Sequence, residues 1–294
     1  MKPFGYVAAK NAEHAVALLA QYGAKAKVLA GGTDLLADLK FSAHSPEVIV
    51  DISRAADLRG IALTDAGLRL GAMVTHSEIM ESALIRAQLP ALIEAAATIG
   101  AVQTRNLGTI GGNLVTCVPS MDSGPTLLAL DAQVTVAGPT GRRSMPLGEF
   151  FVGPRKTCLG PAELLLEIVI PKPNVGKPAA FQKFGLRKGQ ALALVNAAAS
   201  FWPKKGTFSA PTIALGAVAP TVIRAPKAEA WLDGKPINEG AMAEAGAIAA
   251  TEAKPISDFR AGADYRRDLV EVLVKRALAA AFARSNAKQK ELAS

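Results

Sequence analysis

Two glycine pairs limit this chain more than any other feature. Gly31-Gly32 sits within Leu29-Ala30-Gly31-Gly32-Thr33-Asp34-Leu35, and Gly111-Gly112 within Thr109-Ile110-Gly111-Gly112-Asn113-Leu114. Each pair follows or separates strand-like runs. Paired glycines present consecutive backbone N–H groups with no Cβ in front of them, and the Thr or Asn that follows adds a polar side chain. Either loop can therefore hold phosphate oxygens. The first pair also opens a helix, whose N-terminal dipole favours an anion. Two such loops at separate sequence positions can clamp a pyrophosphate from both sides, the group that a dinucleotide presents. Taken singly, each pair reads more readily as an ordinary tight turn.

Other chemistries lack their signatures. No G-x-x-x-x-G-K-[ST] occurs and no G-x-G-x-x-G opens a helix after a strand, so P-loop and Rossmann readings fall. No G-x-S-x-G elbow supports a hydrolase. Cys117 and Cys158 are the only cysteines, and His14, His44 and His76 are scattered. Neither a disulfide framework nor a metal site is expected within the chain. The formal charge of +8 arises from 33 Lys and Arg against 25 Asp and Glu. The densest basic groups, Arg142-Arg143, Lys204-Lys205 and Arg266-Arg267, are only pairs, and two Trp and three Tyr offer little stacking surface. The excess charge thus reads as solvation or docking to an acidic partner, with no nucleic acid expected. No run approaches the roughly 18 unbroken apolar residues of a membrane span, and the N-terminal residues lack an apolar signal core. A cytoplasmic location is expected.

The chain begins with β-α-β material. Asn11 is placed to cap a helix through Ala15, Val16 and Leu19, with Gly23 after it. A strand over residues 27–30 leads to the first glycine pair, where Thr33 is placed to cap a helix over residues 34–39. Strand patterns follow at 47–52 and 68–70, a short helix at 77–82, and a helix at 90–99 with Pro90 in its first turn. Beyond the glycine-rich passage 108–113, a helix is expected at 127–130 and strands at 134–136 and 164–170. Residues 171–178, with three prolines and a glycine, read as a linker. After it come strand-like runs at 181–187, 193–201 and 212–219, with a hairpin turn at Lys204-Lys205-Gly206. Helices are expected at 227–232, 241–252 and 264–283. In the last, Leu269, Leu273 and Ala277 share one face, leaving Arg266, Glu271 and Lys275 solvated.

The longer strings are more specific. Val28-Leu29-Ala30-Gly31-Gly32-Thr33-Asp34-Leu35-Leu36, then Gln103-Thr104-Arg105-Asn106-Leu107-Gly108-Thr109-Ile110-Gly111-Gly112-Asn113-Leu114, resemble the FAD-binding medium subunit of the molybdenum hydroxylases. That is the xanthine dehydrogenase and aerobic carbon monoxide dehydrogenase family. The resemblance continues through Pro119, Asp122, Pro125 and Leu127-Leu128-Ala129-Leu130-Asp131-Ala132, then Glu149-Phe150-Phe151 and Gly153-Pro154-Arg155-Lys156-Thr157. It runs on through Glu163-Leu164-Leu165 to Ile170-Pro171, resumes at Phe181, Lys183, Phe184 and Arg187, and ends at Tyr265-Arg266-Arg267. It therefore spans nearly the whole chain in order.

The resemblance implies an α+β chain. A two-subdomain α/β FAD-binding domain of the vanillyl-alcohol-oxidase type, residues 1–57 and 58–173, precedes a C-terminal domain, 178–294, with a three-stranded antiparallel sheet and helices. It implies that Leu29, Ala30, Gly31, Gly32, Thr33, Asp34 and Leu35, with Thr109, Ile110, Gly111, Gly112 and Asn113, surround the FAD pyrophosphate. Asp122 is placed near the ribose or phosphate end. Thr116, Leu165 and Lys183 are further FAD contacts by motif position, and Ile99 and Gly100 neighbour the flavin ring. Several of these residues carry a second reading. Leu165 and Ile99 fit simple core packing equally well. Asp34 either stabilises a helix start or accepts from the ribose or loop amides, and Arg105 supports an anion, braces its turn or meets a partner. Cys117 reads as a buried thiol.

The implied function is electron transfer. A large molybdopterin-binding subunit hydroxylates the substrate, a small subunit carries two [2Fe–2S] clusters, and this chain holds FAD, binding none of the other centres. The implied assembly is a dimer of three-subunit units, and no catalytic acid or base is expected here. The rival is a self-sufficient FAD-dependent oxidoreductase of the same fold with its own substrate; no residue in the C-terminal half identifies a pocket for one.

Overall fold

The computed structural model describes residues 2–41 and 45–293, with side chains to residue 287; His44 lies outside the described residues. The first unit is a three-stranded parallel sheet of β1 (Gly5–Ala8), β2 (Ala26–Leu29) and β3 (Val48–Asp51), with β3 in the middle. Parallel strands need crossovers. Helix α1 (Ala12–Tyr22) supplies the first and α2 (Leu35–Lys40) the second. The expected cap at Asn11 is present, its side chain accepting from the His14 amide, and Gly23 follows the helix at φ +55°. Thr33 does not cap α2. Asp34 holds that position without a side-chain cap bond, and the first helical turn is closed by the Leu36 amide on the Gly32 carbonyl.

The second unit is a five-stranded antiparallel sheet of β4 (Ile61–Thr64), β5 (Gly67–Gly71), β6 (Gln133–Gly138), β7 (Gly141–Pro146) and, after the small hairpin of β8 (Phe151–Gly153) and β9 (Lys156–Thr157), β10 (Leu164–Pro171). The strand order is β4-β5-β10-β6-β7. Leu68, Leu70, Val134, Val136, Ile168 and Ile170 are fully buried in one core. Over it lie α3 (His76–Glu81), α4 (Ala83–Gln88), α5 (Pro90–Ala97), α6 (Val102–Leu107), α7 (Ile110–Thr116), α8 (Ser123–Ala129) and the single turn α9 (Leu147–Phe150). The second glycine pair is not in a loop, as the sequence reading had it. It forms the first turn of α7, where Thr109 caps the helix by accepting from the Gly112 amide at 3.0 Å.

The C-terminal sheet is antiparallel, of β11 (Ala179–Gly185), β12 (Ala193–Lys204), β13 (Thr207–Gly216) and β14 (Ile223–Arg224), in that order. It has four strands where three were expected, because two residues at the edge are too few to leave a periodic pattern. The hairpin turn falls where expected, with Lys205 and Gly206 both at positive φ, as a primed turn requires. Helices α10 (Pro226–Leu232), α11 (Glu239–Glu252) and α12 (Ala263–Ala293) cover one face around Phe201, Phe208, Leu215 and Val274. Leu269, Leu273 and Ala277 are buried as expected, but Arg266 is buried too, at 3% exposure. Its guanidinium donates to the Leu194 carbonyl and to Asp258, which replaces the water a solvated arginine would use.

The other face of this sheet joins the second unit. The Ser200 and Thr212 hydroxyls both donate to the Ala129 carbonyl at the end of α8, at 2.9 and 2.5 Å. The linker is also pinned. Lys177 is buried and donates to the Ala210 carbonyl at 2.7 Å, and Asn174 donates to the Leu130 carbonyl. Burial pulls the Lys177 ammonium down to about 8.

Candidate cofactor site

A cavity of about 520 Å³ opens where all three units meet. The carboxyl end of β2 brings in the first glycine pair, in keeping with ligand sites beyond the ends of parallel strands. A Cβ on Gly31 would fall 1.8 Å from the Leu107 carbonyl oxygen, so the loop lies directly on the end of α6. Gly111 meets its neighbour as closely: its amide donates to the Ala72 carbonyl at 2.9 Å, and a Cβ there would fall 2.6 Å from that oxygen. The outer glycine of each pair differs. A Cβ on Gly32 or Gly112 would meet only side-chain atoms, those of Leu36, Leu29 and Thr109. The inner glycine of each pair therefore lets two backbones touch, while the outer one lines the cavity with side chains packed close against it.

The sequence-derived residues assemble here with three exceptions. Ala30, Gly31, Gly32, Thr33, Asp34, Leu35, Ile99, Gly100, Thr109, Gly111, Gly112, Asn113, Thr116, Asp122 and Leu165 line the cavity. Leu29, Ile110 and Lys183 do not reach its surface. Ile110 is fully buried in the core of the second unit, and Lys183 acts through Asp122. Leu165 combines both readings, being 3% exposed and part of that core while edging the cavity. Thr116 donates its hydroxyl back to the Gly112 carbonyl at 2.8 Å.

The first glycine loop has the donors a dinucleotide phosphate needs. The amides of Gly32, Thr33 and Asp34 find no acceptor among the described residues, and all three residues line the cavity. Consecutive bare amides form an anion-binding concavity. Burial pushes the Asp34 carboxyl up, against the pull of Arg155. The donor set thus fits the phosphate end of FAD.

A buried polar cluster stands at another wall. Asp122 accepts from Lys183 Nζ at 2.5 Å and from Asn196 Nδ2 at 2.8 Å, while Lys183 also donates to the Thr98 carbonyl at 3.1 Å. Burial pushes the Asp122 carboxyl up and Lys183 pulls it back. The neighbouring turn is fixed by Arg105, whose guanidinium donates to the Ile99 carbonyl at 2.9 Å and the Ala97 carbonyl at 3.4 Å. Arg105 is therefore a brace. Gly100 in that turn has φ +50°, and its carbonyl accepts from the Gln190 amide.

Several lining residues carried no sequence signal. Gln190, Ala191 and Leu192 arrive from the loop between β11 and β12, shaped by Arg187 donating to the Gln190 carbonyl at 2.7 Å. Gln190 has φ +49°, a conformation that a glycine there would have advertised. His76, at the start of α3, lines the wall between the glycine segments with 2% exposure and no partner for Nδ1 among the described residues. Burial, helped by Arg105, lowers it to about 4, so the imidazole is neutral. Cys117 is buried, pushed up by burial, and its thiol faces the Gly153 and Lys156 carbonyls, which suits the inert-thiol reading.

Comparison with known proteins agrees with this arrangement. Residues 2–173 match the family model for the FAD binding domain in molybdopterin dehydrogenase, and residues 179–281 match the CO dehydrogenase flavoprotein C-terminal domain. The chain is 37% identical to the carbon monoxide dehydrogenase medium chain of Hydrogenophaga pseudoflava, covering 96% of this chain and 98% of that one. It is 33% identical to the xanthine dehydrogenase FAD-binding subunit of Escherichia coli O157:H7, covering 96% and 97%. A solved structure of the Hydrogenophaga pseudoflava carbon monoxide dehydrogenase superposes with a TM-score of 0.92 at 39% identity, covering 97% of this chain and 99% of that chain.

Proposed function

Since this chain belongs to the family of FAD-binding medium subunits of molybdenum-dependent dehydrogenases, we propose that the cavity between its three units seats FAD, with the pyrophosphate on the two glycine segments. The observation that carries this reading is the convergence of both glycine pairs on one cavity, where the first presents the unpartnered Gly32, Thr33 and Asp34 amides. The Gly32, Thr33 and Asp34 amides bind the phosphates, Asn113 and Thr109 border them, and Asp122, oriented by Lys183 and Asn196, accepts from a sugar hydroxyl or ring N–H. Ile99, Gly100 and the Gln190–Leu192 segment cover the flavin end and keep water from it. Leu29 and Ile110 support the glycine segments from behind.

FAD, when bound, supplies one- and two-electron redox chemistry, which suits passage of electrons from the [2Fe–2S] clusters of a small subunit to an external acceptor. The chain's own residues bind, orient and shield; none acts as a proton donor or acceptor toward substrate, which belongs to the large molybdopterin-binding subunit. Three units, 1–57, 58–173 and 178–294, share the work, with the cavity at their junction. The assembly is a dimer of heterotrimers in the cytoplasm. No helix among the described residues is long and apolar enough to cross a membrane.

Native purification of the full chain from its source tests this, with flavin, iron and molybdenum measured on one sample. FAD arriving with a large and a small subunit, iron and molybdenum is the expected result. FAD on a monodisperse single chain would leave a self-sufficient flavoenzyme instead, and a colourless chain after FAD addition and desalting would remove the cofactor assignment.

A further inference from the structure

A second cavity, of about 340 Å³, lies beside the first and shares Ser120 with it. Its walls are mostly alanine and proline, closed by the segment that follows α11 and the start of α12. Four charged residues line it: Lys254, Asp258, Arg260 and Arg266. The two oxygens of Asp258 are both taken, Oδ1 by Arg266 at 2.9 Å and Oδ2 by Arg260 at 2.7 Å. One carboxylate therefore answers two guanidinium groups. Lys254 has no acidic partner among the described residues. The Nε of Arg266, in a side chain only 3% exposed, has no acceptor among the described residues either. Three cations against one anion leave this cavity two positive charges in excess, on a lining that is otherwise apolar apart from Ser120.

Bracing of the 254–262 segment explains the contacts of Asp258, but leaves the Lys254 charge at the same concavity unanswered. We propose that this cavity is a binding site for a small organic anion, a carboxylate or phosphate carried on an apolar body. Lys254 and Arg260 face its charge, Arg266 anchors the wall behind them, and the alanine and proline walls hold its body. Arginine and lysine together suit either oxyanion, and the concave shape favours a small molecule over the convex face of a protein. The shared Ser120 places the bound anion next to the cofactor cavity. The inference rests on charge and shape at this cavity alone and stands apart from the FAD assignment.

The test is calorimetric titration of the FAD-loaded full chain with benzoate and, separately, with inorganic phosphate. Wild type is compared with Lys254→Ala and Arg260→Gln, and flavin content is read on the same samples so that failure of FAD uptake is scored separately. The expected result is one saturable site for at least one of the two anions, weakened fivefold or more in each variant. Lys254 is exposed and its ammonium has no structural partner, so Lys254→Ala should keep the wild-type unfolding midpoint. Absence of saturable binding of either anion to wild type overturns the site, as does binding that Lys254→Ala leaves undiminished.

Discussion

The Lys183 ammonium stands 2.5 Å from an Asp122 carboxylate oxygen, with 8% and 7% of the two side chains exposed. Lys183 belongs to β11 in the C-terminal sheet, and Asp122 immediately precedes α8 in the second unit. The pair therefore ties the C-terminal sheet to the FAD-family portion of the chain, at the wall of the cofactor cavity. A buried pair of this kind is a weak source of net stability, because desolvation offsets most of the attraction. Its value lies in holding Asp122 charged and oriented.

Removing only the lysine should be severe. Lys183→Met strands a buried carboxylate, which costs about 3–5 kcal/mol when the charge stays uncompensated. Burial already pushes the Asp122 carboxyl up, so in this variant the native state keeps a proton that the unfolded chain releases. A carboxyl raised in the native state loses stability as pH rises above its unfolded value of 3.8. The variant's urea midpoint should consequently fall further below wild type at pH 8 than at pH 5. Asp122→Asn combined with Lys183→Met should recover most of the loss; equal deficits at both pH values would show that the charge is not the cause.

His76 gives a pH dependence of the opposite sign. Its folded value of about 4 lies below the ordinary 6.5 because burial disfavours the imidazolium. Between these values the unfolded chain binds a proton that the native state refuses, so stability is lost as pH falls from 6.5 toward 4, by about 3 kcal/mol at most. Carboxylates elsewhere add their own slope. The difference between wild type and His76→Gln isolates this one: their urea midpoints should separate more at pH 7 than at pH 4.5, with wild type losing more on acidification.

The glycine pairs separate packing from binding. Gly31→Ala places a Cβ against the Leu107 carbonyl, which is backbone and cannot turn aside. This variant should lose both FAD and thermal stability. Gly112→Val has only the Thr109 hydroxyl in its way, at 2.9 Å from the new Cβ, and its bulk enters the cavity wall. It should lose FAD occupancy with a fall of only about 1 kcal/mol in apo stability, the cost of a disturbed cap. Thr109→Ala removes that cap without adding bulk. Flavin content after desalting ranks the three, and FAD retained by Gly112→Val at the wild-type level would remove this segment from the pyrophosphate site.

Much of this was legible where apolar pattern or turn chemistry is dense. Leu68 and Leu70, the 164–170 run and the long buried stretch of β12 announce strands, and Asn11 and Pro90 announce helix starts. The edge strands β4 and β7 left no such mark. Their residues are mostly exposed, with Arg142, Arg143 and Ser144 outward, so alternation had nothing to show. Gly111-Gly112 read as a loop because glycine is a poor helix former, but Thr109 capping and the close seat on Ala72 override that preference. Arg266 read as solvated because helical periodicity carries no information about Asp258, eight positions earlier and folded back onto it. Likewise, the 190–192 segment reaches the cavity only through the placement of the C-terminal sheet.

That segment supports the last prediction. Arg187 donates through Nε and a terminal nitrogen to the Gln190 carbonyl, at 3.3 and 2.7 Å, and the Gln190 amide in turn donates to the Gly100 carbonyl. Leu186 and Leu192 are 65% and 58% exposed, so packing contributes little to holding the loop in place. Arg187→Ala should free the loop without unfolding the sheet beneath it. The expected outcome is FAD dissociation several-fold faster, with an unfolding midpoint near wild type because the lost bonds are exposed. Arg187→Lys keeps a charge but not the two-nitrogen grip on one oxygen, and should fall close to the alanine variant. Stopped-flow release of FAD into an excess of an FAD-specific apoenzyme as trap measures the rate directly. A dissociation rate unchanged in both variants would mean that the loop borders the cavity without retaining the cofactor.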